Sequence, residues 1–410
     1  MGTTVLKLNV PREGDGEIEV SATLAAGGKE HRLWWRVPGE WAGAVTTWAD
    51  PFVVGMVFLM MEAREEVRIE GAASPSLLEN LERYMDIWRV WDPPRYAVVK
   101  IRADREEESP GAEARWGGEM LTTFSGGVDS CYTLARHLDK AVGRRNRKIG
   151  AALVINGFDI WPDQKNAAGI FEGVRRGVLA QLGAVGVAPI VVSTNFHELP
   201  VTWADAFGTE LASGLMLFGK RFAGAVLPNS HIYAKAGERW GSTPLADPFL
   251  GSRHFPILDD GGGAGREEKL EYLGRHPELL AQLRVCFPLD GRFENCCRCE
   301  KCLRTIVGCH VAGVAVPATA FPRAVTAKEI AGMKFHSTIS WTFWRELLEA
   351  AEARGLMGEA WAQGLATAVR RGARRYRMQQ LKKPLIPLRN RLRKLLRGSA
   401  ENRSKLRRKG

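Results

Sequence analysis

Two groups of residues in this chain have the types and the spacing to do chemistry. The first lies in TTFSGGVDSC, residues 122–131, where Ser125, Gly126, Gly127, Val128, Asp129 and Ser130 make one turn between an apolar stretch and a helix-like one. At the start of a helix such a turn presents unpaired N–H groups and partial positive charge, which together accept an oxyanion. Gly126 and Gly127 permit positive φ and let the backbone approach a ligand closely. Ser125 and Ser130 add hydroxyl donors to the same oxygens. Asp129 is the odd member, because an acid beside a phosphate repels it unless it faces a magnesium ion or holds the loop in shape. The plainer reading is a capped glycine turn.

The second group is CFPLDGRFENCCRCEKC, residues 286–302, which holds five of the seven cysteines. Cys296, Cys299 and Cys302 form C-x2-C-x2-C, and Cys286 supplies a fourth thiolate across a nine-residue loop. Four thiolates at such spacings close a tetrahedral structural Zn2+ site with no open position. Disulfides, a cluster of buried thiols, or an iron–sulfur cluster explain the same letters. Cys297 and Cys309 are spare thiols, either of which can substitute as a ligand, while Cys131 reads as core.

Weaker candidates surround these two. Asn156 and Asp159 end a strand-like segment where a nucleotide would lie, with a plain turn as the alternative. His197 with Glu198, and His231 with Lys235, have the chemistry of acid/base pairs. Asp247, Asp259 and Asp260 offer carboxylates to Mg2+, and Arg253, Arg266 and Lys269 offer charge to phosphate oxygens. A hydrated loop and a mixed-charge helix start account for these as well. Trp34, Trp35 and Trp41 have the composition of a stacking platform, although packing in strands is the simpler role.

SGGVDS lacks the GK[ST] ending of a P-loop. It resembles instead the SGGxDS signature of the PP-loop family, the N-type ATP pyrophosphatases. The resemblance implies ATP bound with Mg2+ on Ser125–Ser130, with Asp129 and Ser130 catalytic, and release of pyrophosphate as a substrate oxygen attacks the α-phosphorus; Asp159, by its place at a strand end, is expected to join the nucleotide site. A second nucleophile, such as ammonia or an amine, then displaces AMP. With C-x9-C-x2-C-x2-C and Arg304 downstream, residues 117–315 are similar to the 7-cyano-7-deazaguanine synthases, in which four cysteines bind zinc. Cys297 stands where that family has glycine, and the family has no counterpart of the N-terminal hundred residues or of the basic tail. An RNA sulfur transferase using Cys297 or Cys309, and a nucleotide-binding interaction module without turnover, are the rival functions.

These groups need elements to hold them. VLKLNV, EIEVSATL, HRLWWRV and RYAVVKIRA read as strands, and DPFVVGMVFLMMEA and SPSLLENLERYMDIW as helices, the second with a serine cap. They suggest an N-terminal α+β domain over 1–104, followed by a charged, glycine-rich linker over 105–118. Beyond it GEMLTTF, IGAALVING, APIVVSTN and AGAVLPNS read as strands. They alternate with the helix-like VDSCYTLARHLDKA, AAGIFEGVRRGVLAQLG and GTELASGLMLFGKRF. That alternation predicts a doubly wound α/β domain with a parallel sheet over 119–315, with ligands at the carboxyl ends of its strands. Residues 316–378 read as helical and 379–410 as a basic tail. No internal repeat is visible.

Composition fits a soluble globular protein, with 45% hydrophobic and 25% charged residues in 410. The net charge of +12 is unevenly placed. Residues 370–410 carry 17 Lys and Arg against Glu401 alone, whereas the other 369 residues carry 41 basic and 45 acidic side chains. Leucines among the basic residues suit a helix lying on an anionic membrane or gripping RNA, against a solvated charge run as the plainer reading. No signal peptide or membrane-length apolar run is visible, and a reducing cytoplasm is expected, with attachment to a membrane surface through the tail as the variant.

Overall fold

The computed structural model describes residues 3–111, 118–161, 163–286, 293–335 and 338–382, without the side chains of 338, 339 and 379–382. Part of the expected linker, the middle of the loop between Cys286 and Cys296, and nearly all of the basic tail lie outside the described residues. The chain divides into two compact units, Met1–Cys296 with Val314–Pro322, and Cys297–Gly313 with Arg323–Gly410.

In the first unit the strands are β1 (Thr4–Leu8), β2 (Arg12–Gly14), β3 (Glu17–Ala26), β4 (Lys29–Pro38), β5 (Val67–Ala73), β6 (Ile101–Glu106), β7 (Met120–Thr123), β8 (Ile149–Asn156), β9 (Ala188–Thr194), β10 (Ala225–Pro228) and β11 (Ile257–Asp260). The helices are α1 (Asp50–Ala63), α2 (Pro75–Trp91), α3 (Val128–Leu138), α4 (Ala167–Ala184), α5 (Trp203–Met216), α6 (Arg266–Leu273) and the single turn α7 (Pro277–Leu280).

One sheet runs β11-β10-β7-β8-β9-β4-β3-β1-β5-β6, with β2 beside β3. Its first five strands are parallel to one another and short, and β7, β8, β9 and β10 are apolar and joined through α3, α4 and α5, as a sheet covered on both faces requires. Successive strands step outward from β7 through β8 to β9, and the chain then crosses back to β10 and β11 on the other side of β7. The chain therefore reverses winding at β7/β10, and the crevice beyond the strand ends there is the natural ligand site of such a sheet.

The sheet does not stop at the expected linker. Strand β4 joins β9 antiparallel, with Trp35 opposite Thr194, and Asn195 locks the junction by accepting from the Trp34 N–H at 2.8 Å. Across the sheet face, Trp35 Nε1 donates to Ser213 of α5, and Gly55 of α1 lies so close to Leu33 and Ser213 that a Cβ there would be 2.6 and 2.9 Å away. Hence α1 is buried from Asp50 through Met61, which accounts for its unbroken apolar run. Among the described residues no helix is long and apolar enough to cross a membrane.

Three sequence expectations shift. The strand expected over RYAVVKIRA is confined to Ile101–Glu106, because Arg95 is held by Glu62 at 2.7 Å and the Tyr96 hydroxyl donates to Asp205 at 2.8 Å. The helix expected over GTELASGLMLFGKRF starts earlier, at Trp203, and ends at Met216. Ser74 sits at the N-cap of α2, but its hydroxyl donates to Asp50 rather than capping the helix.

The second unit is helical: α8 (Glu300–Ala312), α9 (Ala327–Ala331), α10 (Thr338–Ala353) and α11 (Ala360–Lys382). Leu303, Val307, Trp344, Leu347, Leu365 and Val369 form its core. Trp344 Nε1 donates to Glu300 at 2.8 Å, and Thr326 with Glu329 caps α9 reciprocally.

Candidate functional site

A cleft of about 890 Å3, its open mouth included, lies at the carboxyl ends of β7, β8 and β10. Its polar end is the turn after β7, where Ser125, Asp129 and Ser130 face inward. Its flank is apolar, with Val154, Ile155, Phe158, Ile160, Phe171, Val174, Phe207 and Leu211. One end suits phosphate oxygens and the other a flat ring.

The turn is built as its residue types imply. Gly126 has φ +71°, and any Cβ there would meet Gln181 Oε1 at 2.7 Å and Val178 at 3.2 Å, so the backbone is pressed against α4. Gly127 is the N-cap of α3 and provides no side chain to cap it. The first N–H groups of α3 are thus left for whatever occupies the cleft. Ser125 Oγ lies 3.4 Å from Ser130 Oγ, which donates to Gly127 O at 3.1 Å.

Asp129 is ion-paired, with Lys269 Nζ at 2.8 Å and Arg266 Nη1 at 3.3 Å, both from α6. Lys269 is buried and also donates to Asn229 O at 2.6 Å, at the end of β10. The acid therefore anchors two cations beside the anion-accepting turn, which has no lysine of its own.

Arg284 closes the cleft and is the residue that sequence reasoning missed. Its backbone N–H donates to Gly126 O at 2.8 Å, and its Nη1 pairs with Asp159 at 2.8 Å. Its side chain is only 11% exposed, and its Nε and Nη2 find no partner among the described residues. Nothing in the sequence marks it beyond its place two residues ahead of Cys286.

Two of the three expected magnesium carboxylates, Asp247 and Asp260, are already engaged, whereas neither oxygen of Asp259 finds a hydrogen-bond partner among the described residues. Asp247, fully buried, accepts from Ser242, the Thr243 N–H and Asn229, and burial pushes its carboxyl well up. Asp260 accepts from Thr133 and pairs with Arg136 at 2.8 Å; although burial opposes it, His137 and Arg136 hold its carboxyl below the usual range. Asp259 is pushed up to about 6 by burial. Asp259 and Asp260 end a strand, β11, where a hydrated loop was the plainer expectation.

The weaker candidates stand apart from the cleft lining. Arg253 is exposed and bonds Ser76 through its backbone. Asn156 Nδ2 reaches Ser193 at 3.4 Å, and Glu198 accepts from Asn195. His231 is buried against Trp240, with ring centroids 5.9 Å apart, and burial lowers its pKa. Trp35 is core, Trp41 packs on Phe222, and Trp34 lies under Arg36. Cys131 is wholly buried, and burial pushes its thiol up.

The sulfurs of Cys286, Cys296, Cys299 and Cys302 all lie within 4.8 Å of one another. A tetrahedral ion with 2.3 Å bonds to sulfur sets its ligands about 3.8 Å apart, so this cluster can hold a metal ion. Cys299 is the N-cap of α8 and Cys302 lies in its first turn, where the helix end favours thiolates. Cys297 has φ +53°, a conformation that favours glycine, and its carbonyl accepts from Arg323 at 2.7 Å. Neither Cys297 nor Cys309 is accessible, at 1% and 0% exposure. Asn295, also missed, frames the cluster: its Oδ1 accepts from the N–H groups of Val285 and Cys286, and its Nδ2 donates to Leu283 O and Ala320 O.

Compared with protein-family models, curated proteins and solved structures, the chain finds no match.

Proposed function

We propose that this chain is an ATP pyrophosphatase of the PP-loop kind, similar to the 7-cyano-7-deazaguanine synthases in its four-cysteine cluster. On this reading it adenylates a carboxylate or carbonyl oxygen of a small-molecule or carrier-borne acceptor, then transfers the activated group to ammonia or an amine. The observation that carries the reading is the uncapped N-terminus of α3 behind Gly126 and Gly127, set at the winding reversal with Lys269 and Arg266 anchored on Asp129.

The roles follow from placement. The N–H groups of the turn, with Ser125 and Ser130, hold the β and γ phosphates, and the apolar flank takes the adenine. The acceptor oxygen attacks the α-phosphorus as the bond to the β-phosphate oxygen breaks, and Lys269 and Arg266 stabilise the charge gathering on the departing pyrophosphate. The nitrogen nucleophile then adds to the activated carbon, loses a proton, and AMP leaves with the C–O bond. A bound Mg2+ would supply positive charge to the phosphate oxygens. Asp129, Asp247 and Asp260 are engaged, so of the expected carboxylates Asp259 is the one left to hold it, with phosphate oxygens and water supplying the other ligands. The four thiolates suit zinc, a closed site that braces the chain and takes no part in the reaction.

Sulfur transfer to RNA needs a reachable thiol, and Cys131, Cys297 and Cys309 are buried. The deciding experiment incubates ATP and Mg2+ with the protein and a panel of carboxylates with ammonia or amines, and separates AMP from ADP. AMP and pyrophosphate are expected. ADP and phosphate from pure protein would overturn the reading, and bound but unconsumed ATP across a broad panel would favour the binding module.

A further inference from the structure

We propose that Arg284 is the second anion-binding group of the cleft and that Asn295 is the residue that positions it. The proposal rests on the cleft being an anion site as read above, and deepens it by naming a contact that no sequence motif carries.

Arg284 has five N–H donors in a planar fork, and its charge is permanent. Asp159 occupies Nη1 at 2.8 Å, while Nε and Nη2 are buried and partnerless among the described residues. A buried guanidinium with empty donors is costly unless a ligand fills them. The fork lines the same cleft as Ser125, Asp129 and Ser130, so the missing partner is an oxyanion, and a phosphate oxygen fits it. Asp159 then serves to orient the fork.

What holds Arg284 there is local and fully specified. Its N–H is fixed on Gly126 O. On either side, Asn295 clamps the backbone: Leu283 O at 2.7 Å ahead of it, and the N–H groups of Val285 and Cys286 at 3.0 and 3.1 Å after it. The fourth bond, to Ala320 O at 2.9 Å, ties the amide to a separate segment. Asn295 thus acts on the ligand only through Arg284.

The test measures binding of inorganic pyrophosphate and of ATP by calorimetry at fixed salt. It compares full-length wild type, Arg284→Gln, Asn295→Ala and the double variant, with metal content and circular dichroism recorded for each. Arg284→Gln should weaken both probes by about 10- to 100-fold, the loss of charge-assisted bonds. Asn295→Ala should weaken them by a smaller factor, and the double variant should match Arg284→Gln within about twofold, since residues acting through one another are not additive. Additive losses would make Asn295 a general structural residue and overturn its role. Wild-type affinity in Arg284→Gln would overturn the anion contact. If wild type binds pyrophosphate but not ATP, the nucleotide reading fails while Arg284 is still judged on pyrophosphate; if it binds neither, the anion assignment fails too.

Discussion

Asp129 shows how an acid would belong in the anion cradle proposed for this turn. The turn contributes donors but no full positive charge, and the charge comes from α6, more than a hundred residues downstream, recruited by Asp129 through Lys269 and Arg266. Asp129→Asn keeps the shape and removes that anchor. We expect turnover of ATP to fall by about 10²-fold, the scale of losing a positioned charge-stabilising group, with an unchanged circular dichroism spectrum and a melting temperature within a few degrees. Unimpaired turnover would mean that Asp129 merely caps a turn. At this scale SGGVDS and the four cysteines could be read from the sequence because each cluster is contiguous or regularly spaced. Arg284 and Asn295 could not, because their partners, Gly126, Asp159 and Ala320, come from distant segments and leave no local pattern.

Among the elements, α1 tests the fold at its most enclosed point. Asp50, in the first turn, is pushed up to about 6 from 3.8, chiefly by burial, with Ser74 bonding in the opposite sense. The folded chain therefore binds this proton more tightly than the unfolded chain does. That contribution is fully present below pH 4 and disappears as pH rises through 6, amounting to about 3 kcal/mol at one unit per 1.4 kcal/mol. Asparagine keeps an acceptor for the Ser74 N–H and reverses the second bond, its amide N–H donating to Ser74 Oγ, without the titration. In urea titrations Asp50→Asn should gain stability over wild type at pH 7.5 and gain none near pH 3.5. An equal difference at both pH values would show that Asp50 does not titrate in this window. Periodicity located α1, α3 and α4 well, but β11 and the true span of α5 depended on long-range pairing: β11 exists only against β10, and residues after Met216 are buried without being helical.

At the scale of the molecule, charge is segregated along the chain, with the basic excess in residues that lie outside the described ones. Removing residues 383–410 should abolish co-sedimentation with anionic vesicles or RNA at moderate salt and leave ATP cleavage nearly unchanged. Retained binding would place the anionic partner elsewhere. Alternation in the sequence announced a parallel sheet but not its extension, because the pairing of β4 with β9 rests on two residue pairs and one asparagine rather than on any motif.

That junction has a consequence for how the protein is made. The inner edge of β4 leaves the ribosome early, yet Asn195, which receives the Trp34 N–H, is synthesised 161 residues later. At 5–20 residues per second the wait is about 8–32 s. For that interval Trp35 and the apolar faces of β4 and α1 have no permanent cover, and an open strand edge of this kind recruits other chains. The nascent protein is thus exposed to self-association during translation, and its yield should be set by chaperone supply more than by the stability of the finished fold.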